Sequence, residues 1–162
     1  MKQPQYKVFV LGIGNILCAD DGVGISVVQT LRQKQWSSEV FILEGGTSAI
    51  NFLEELGKAK HVIVVDAVRG GEKTGTIHRY TEEDLAAFRE SRLDSHGFSL
   101  LWLVELARAM TGYPVNVIVY GVEIHQLHFG AEVSPRVLQA IPAAAEKVEQ
   151  EIIRICSEQT KP

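Results

Sequence analysis

The stretch Val10-Leu11-Gly12-Ile13-Gly14-Asn15-Ile16-Leu17-Cys18-Ala19-Asp20-Asp21-Gly22-Val23-Gly24 decides the fold. It continues an apolar run, Val8–Leu11, that Gly12 cuts short, which reads as a buried strand. From Asp21 a helical pattern begins: Val23, Val27 and Leu31 recur at every fourth residue, and Val28 widens the stripe. Asp20 is the expected N-cap of that helix. Strand, glycine turn and helix together place the segment at the carboxyl end of a strand, where open α/β sheets build their sites. Its ending in two adjacent carboxylates points to a cation rather than to a phosphate.

Outward from there the same alternation repeats. Glu39–Leu43 predicts a second strand, ended by Gly45-Gly46-Thr47, and Ser48 can cap a helix through Leu56. His61–Val65 is a third strand closed by Asp66. Thr76–Tyr80 mixes β-formers with charge, as an edge strand does. A short helix starts at Thr81-Glu82-Glu83-Asp84. Phe98–Met110 is nearly all apolar and predicts a deeply packed helix, and Val115–Val122 is the fifth strand. Ser134-Pro135 is a helix start, a cap followed by a first-position proline, leading into Leu138, Ile141, Ala145, Val148, Ile152 and Ile155. The order implies a single α/β domain over residues 1–162: a three-layer sandwich with a twisted, mostly parallel five-stranded sheet and helices on both faces.

The composition is that of a globular chain. At 162 residues, with 46% hydrophobic and 22% charged, it needs no disulfide or structural metal to fold. A net charge of −4 leaves no basic surplus to neutralise nucleic-acid phosphates. No apolar run is long enough for a membrane span. The opening Met1-Lys2-Gln3-Pro4-Gln5 lacks a signal-peptide core, and the two cysteines, Cys18 and Cys156, are far apart. Both features lead to the expectation of a reduced, cytoplasmic protein.

Three polar residues stand out by position. Asp21 lies beyond the first strand, Asp66 ends the third, and His96 opens the buried helix. Each has a plain structural explanation alone: a helix cap, an Asx-turn, a packing histidine. Together they form an oxygen, oxygen and nitrogen set suited to nickel, zinc or manganese. Three protein ligands with an open position describe a reactive or recognition site.

Other motifs are weaker. Gly12-Ile13-Gly14 begins like a dinucleotide fingerprint, but Leu17 stands where its third glycine belongs. Glu44, near the ribose position, is followed by Gly-Gly-Thr. His125 and His128 have metal-ligand spacing, but Phe129-Gly130 makes the segment a loop. Cys18, among Ile16, Leu17 and Ala19, reads as packing. Trp36 and Trp102 read as core or rim fillers.

Four segments then carry a family resemblance: Gly12-Ile13-Gly14-Asn15 through Asp20-Asp21-Gly22-Val23-Gly24, Glu44-Gly45-Gly46-Thr47, Val65-Asp66-Ala67 and Ser95-His96. In this order they resemble the hydrogenase maturation endopeptidases, which trim the large subunit of nickel–iron hydrogenases. The resemblance runs from Val8 to Ser134-Pro135. It implies a peptidase that removes a short C-terminal extension from the large-subunit precursor once nickel has been inserted. It implies metal contacts at Asp21, Asp66 and His96. The expected mechanism has either the metal or a carboxylate, Asp21 or Asp66, polarise the scissile carbonyl or activate water, with Gly45, Gly46 and Thr47 positioning the substrate strand through their backbone groups. Nickel is expected to arrive with the substrate, zinc or cadmium being able to take its place. The precursor is the expected partner, and the chain is expected to act as a monomer. The sequence departs from many members at Glu123-Ile124, where they continue Gly-Val with x-Pro, and Val68-Arg69-Gly70-Gly71 is a variable region in such proteins. A nickel carrier using the same residues, a nucleotide-binding module, and a peptidase with another substrate are the alternatives.

Overall fold

A computed structural model describes residues 3–88 and 95–158. Five strands, β1 (Tyr6–Ile13), β2 (Val40–Gly46), β3 (Ala59–Val68), β4 (Ile77–Thr81) and β5 (Asn116–Glu123), form one sheet in the order β2-β1-β3-β5-β4. All pairings are parallel except β4 with β5. The charged strand foreseen at an edge is that antiparallel β4. The helices are α1 (Val23–Arg32), α2 (Leu53–Leu56), α3 (Glu82–Phe88), α4 (Ser95–Thr111) and α5 (Pro135–Ser157).

Alternation along the strands builds two cores. Val8 and Val10 of β1, Ile63 and Val65 of β3, and Ile118 and Tyr120 of β5 point to one face. There they meet Val23, Val27 and Leu31 of α1 and Val148, Ile152 and Ile155 of α5. Phe9, Leu11, Val62, Val64, Val117 and Val119 point the other way, onto Leu56 of α2 and Leu100, Leu103, Val104 and Ala107 of α4. The central strands are therefore apolar on both faces, as parallel strands between helix layers must be. This is the expected three-layer α/β fold.

Three local expectations need correction. Helix α1 begins at Val23, because Ala19–Gly22 forms a single 3-10 turn that leads into the helix. Ser134 precedes Pro135 as expected but makes no side-chain capping bond; its hydroxyl donates to Asp20 instead. Helix α4 is not packed all round: Trp102 and Met110 are exposed on its outer face, so apolar composition there overstates burial.

One charged cluster is built into the α5 side. Buried Glu151 accepts hydrogen bonds from Arg79 of β4, Arg154 of its own helix and the Tyr120 hydroxyl of β5. Burial alone would raise the Glu151 pKa, but these three donors outweigh it and hold it at about 2. Tyr120 is pushed up to about 12, by burial first and then by the Glu151 carboxylate. A cavity of about 300 Å³ opens beside the cluster between β4, β5 and α5, with Arg79 and Arg154 paired to Glu151 and Lys147 also on its wall.

Candidate functional site

The strand order reverses at β1: the chain leaves it for β2 on one side and returns to β3 on the other. Such a switch point opens a crevice at the carboxyl ends of the two strands. Asp21 follows β1, and Asp66 lies near the end of β3, paired with Gly121 of β5.

Glycines bring the two carboxylates to one edge. A Cβ on Gly24 would stand 2.3 Å from the Val65 oxygen and 2.4 Å from the Ile13 oxygen, so the start of α1 presses directly on β1 and β3. A Cβ on Gly12 would meet the Gly24 oxygen at 2.5 Å. Gly14 adopts φ +139°, and its missing side chain makes room for the Asp21 carbonyl, which a Cβ would approach to 1.9 Å. The glycines of the opening segment therefore serve close helix-to-strand packing, and the 3-10 turn bearing Asp21 packs against β3.

Asp21 is half-buried, and its Oδ2 accepts the Asn15 backbone N–H at 2.8 Å. Asp66, also half-buried, accepts the N–H of Ala67 through Oδ1 at 2.8 Å. The Gly45-Gly46-Thr47 turn adjoins the turn after β1: the Gly46 carbonyl accepts the Gly14 N–H at 2.9 Å, and Gly46 sits at φ +59° with no heavy atom within 4 Å of where a Cβ would stand. His96 belongs to the first turn of α4; its side chain lies outside the described residues. Because α4 delivers the chain to the start of β5, its first turn lies toward the carboxyl edge. Among the described residues no group of three or more His, Cys, Asp or Glu side chains is arranged to hold a metal.

Two buried carboxylates define the rim, and sequence reasoning gave neither its role. Asp20 is not a helix cap. It is 0% exposed, and its carboxylate accepts the backbone N–H groups of His125 (3.0 Å), Gln126 (3.1 Å) and Ser134 (2.6 Å) and the Ser134 hydroxyl (2.8 Å). Burial raises the pKa of such a group, but these four bonds outweigh it and hold Asp20 below the usual carboxylate range. Buried Glu123 accepts the N–H groups of Gly70 (3.0 Å) and Gly71 (2.9 Å), with His78 Nε2 at 3.5 Å. Asp20 thus fixes the loop after β5, and Glu123 fixes the loop after β3. The signal for Glu123 was present in sequence: a charge ends an apolar strand there, whereas Asp66, expected to close the third strand, is followed by two more paired residues, Ala67 and Val68. For Asp20 the only signal was a second carboxylate where one cap suffices.

The rival motifs resolve into structure. Glu44 pairs with Arg32 at 2.8 Å and accepts from Gln29, so it serves as a surface ion-pair partner. His125 and His128 lie in a loop. Cys18 and Cys156 are free thiols. Trp36 is partly buried against the α5-side core and donates to the Leu31 carbonyl, whereas Trp102 is exposed.

A doubly wound single-domain sheet carrying two carboxylates at its β1/β3 switch point defines the class. A family model described as "Hydrogenase maturation protease" matches residues 25–151. The chain belongs to the hydrogenase maturation protease family. It is 33% identical over 144 residues to the hydrogenase expression/formation protein HupD of Thiocapsa roseopersicina, covering 86% of this chain and 65% of that relative. It is 28% identical to the hydrogenase 2 maturation protease of Escherichia coli, with 88% of each chain covered. Among solved structures, the hydrogenase maturating endopeptidase HybD from E. coli superposes with a TM-score of 0.82 at 27% identity, over 91% of this chain and 93% of that one. No helix among the described residues is long and apolar enough to cross a membrane.

Proposed function

We propose that this protein removes a short C-terminal extension from the nickel-loaded precursor of a nickel–iron hydrogenase large subunit. The observation that carries this reading is the placement of Asp21 and Asp66 at the switch point of a chain that belongs to the maturation protease family.

Nickel is part of the substrate in this reading, held by the precursor. Asp21, Asp66 and His96 are its contacts on this chain, two oxygens and one nitrogen, a set that also accepts zinc or cadmium. Engagement of the nickel seats the scissile bond at the crevice. One of the two carboxylates then takes a proton from a water molecule whose oxygen bonds to the scissile carbonyl carbon. The C–N bond breaks and the departing amine takes the proton. Gly45, Gly46 and Thr47 flank the incoming peptide, and the open space beside Gly46 supports that role. A precursor without nickel lacks its anchor and waits. The enzyme works as a monomer in the cytoplasm.

The experiment is a mass spectrum of the precursor, with and without nickel, after incubation with this protein. Loss of a C-terminal peptide from the nickel-loaded form alone is the expected result. An intact chain in both samples, from a folded precursor, would overturn proteolysis in favour of a carrier.

A further inference from the structure

Among the described residues, four of the ten large apolar side chains left in solvent lie on two adjoining loops at the carboxyl edge. Ile16 and Leu17, in the turn after β1, are 65% and 57% exposed; Leu127 and Phe129, in the loop after β5, are 40% and 77% exposed. The two loops are one structure. The Gly130 N–H donates to the Leu17 carbonyl at 2.8 Å, and the Asp20 N–H donates to the Gln126 carbonyl at 3.3 Å. The Asp20 carboxylate holds the N–H groups of His125 and Gln126. Behind Ile16 the chain is fixed by Gly22, where a Cβ would stand 2.8 Å from the Ile16 Cα. Backbone bonds therefore hold these four side chains outward, where they cannot fold back onto the core. Apolar area kept in water costs about 25 cal/mol per Å² until something covers it, and patches of this kind mark interaction sites.

The patch is continuous with the carboxylate crevice. Asn15 donates its N–H to Asp21 Oδ2 at 2.8 Å, and its side-chain oxygen accepts the Leu17 N–H at 3.0 Å. Asp21 and Leu17 are thus both bonded to one residue. A macromolecule that presents a group to Asp21 must lie over Leu17 and its neighbours.

We infer that Ile16, Leu17, Leu127 and Phe129 form the docking surface for the folded body of the protein substrate, which contributes an apolar patch beside its cleavable tail. The inference rests on the processing reading above. The occupant is a protein rather than an anionic lipid surface, because the patch adjoins Asp21 on a chain of net charge −4. Contact with the body lets an endopeptidase accept one protein and refuse other free tails, with few side chains dominating the affinity.

The test measures binding of the purified nickel-loaded precursor by calorimetry, with analytical ultracentrifugation of the enzyme alone. The Leu17→Ser/Phe129→Ser double variant is expected to bind about tenfold more weakly or worse, at unchanged melting temperature. Phe129→Lys alone, at the most exposed position, serves where the double variant loses stability. Leu138→Ser/Ile153→Ser, at comparably exposed positions on α5, is expected to bind as wild type. Wild-type affinity in the rim variants would overturn the docking surface while leaving proteolysis intact, as would equal weakening by the α5 control. A self-association abolished by the rim variants, with precursor binding unchanged, would assign the patch to a second copy and overturn the proposal. Tight, rim-dependent binding without cleavage would overturn the protease reading and leave docking standing. A wild-type protein that does not bind the precursor would overturn both.

Discussion

Asp20 and Ser134 lie 114 residues apart and are joined twice, by the Ser134 N–H to Oδ1 at 2.6 Å and by its hydroxyl to Oδ2 at 2.8 Å. With the His125 and Gln126 amides on the same carboxylate, this pair holds the rim of the crevice in place. An amide at position 20 has one acceptor atom for four donors. Asp20→Asn is therefore expected to lose about 2 kcal/mol of stability, the cost of leaving buried donors unmet. Denaturant unfolding checks it, and a midpoint equal to wild type would refute the anchoring role.

Asp21 sits next door with a different burden. It is half-buried and accepts a backbone bond from Asn15. Asp21→Asn keeps an acceptor and nearly the same volume, so folding is expected to survive within about 0.5 kcal/mol. Processing of the nickel-loaded precursor is expected to fall by about 10² or more, the usual worth of an acid–base group. Single-turnover processing rates, set beside melting curves, separate the two effects; Asp66→Asn is expected to behave the same way in activity.

Gly24→Ala tests the packing that brings these carboxylates to one edge. The added Cβ meets the backbone oxygens of Val65 and Ile13 at 2.3 and 2.4 Å, and neither can rotate away. A loss of about 3 kcal/mol is expected, the upper part of the usual overpacking range. A variant as stable as wild type would mean that α1 can lift off the sheet freely.

Acid should unfold the protein partly through Glu151. Its pKa falls from 4.5 to about 2 on folding, burial being outweighed by Arg79, Arg154 and Tyr120. A depressed carboxylate stabilises the fold above its unfolded pKa, and that contribution disappears as pH falls from 4.5 toward 2. Arg79 and Arg154 are about half in solvent, so the contribution is about 2 kcal/mol after screening. Glu151→Gln is expected to be less stable at neutral pH and to show a flatter decline between those limits. An identical acid profile would refute the coupling.

The fold was legible because it rests on local pattern. Apolar runs such as His61–Val65 mark buried strands, and Val23, Val27 and Leu31 mark one helix face. The candidate site rests on the same kind of pattern: Asp66 is a charge interrupting an apolar run, though β3 continues past it to Val68. What stayed hidden depends on partners distant in the chain. Asp20 has the sequence context of a helix cap, yet its bonds go to residues 125–134, and no local rule brings those near. Ser134 has the signature of a cap but spends its hydroxyl on Asp20 for the same reason. In α4, Trp102 and Met110 face outward although composition gives them no reason to.

The Asp20 anchor also sets an order of assembly. Its donors lie beyond β5, so a nascent chain that has made β1, α1 and β3 already has both Asp21 and Asp66 but no fixed rim around them. Closing so long a loop comes late in folding. The loops on either side of Asp21 are therefore tied to one another only once the start of α5 has docked.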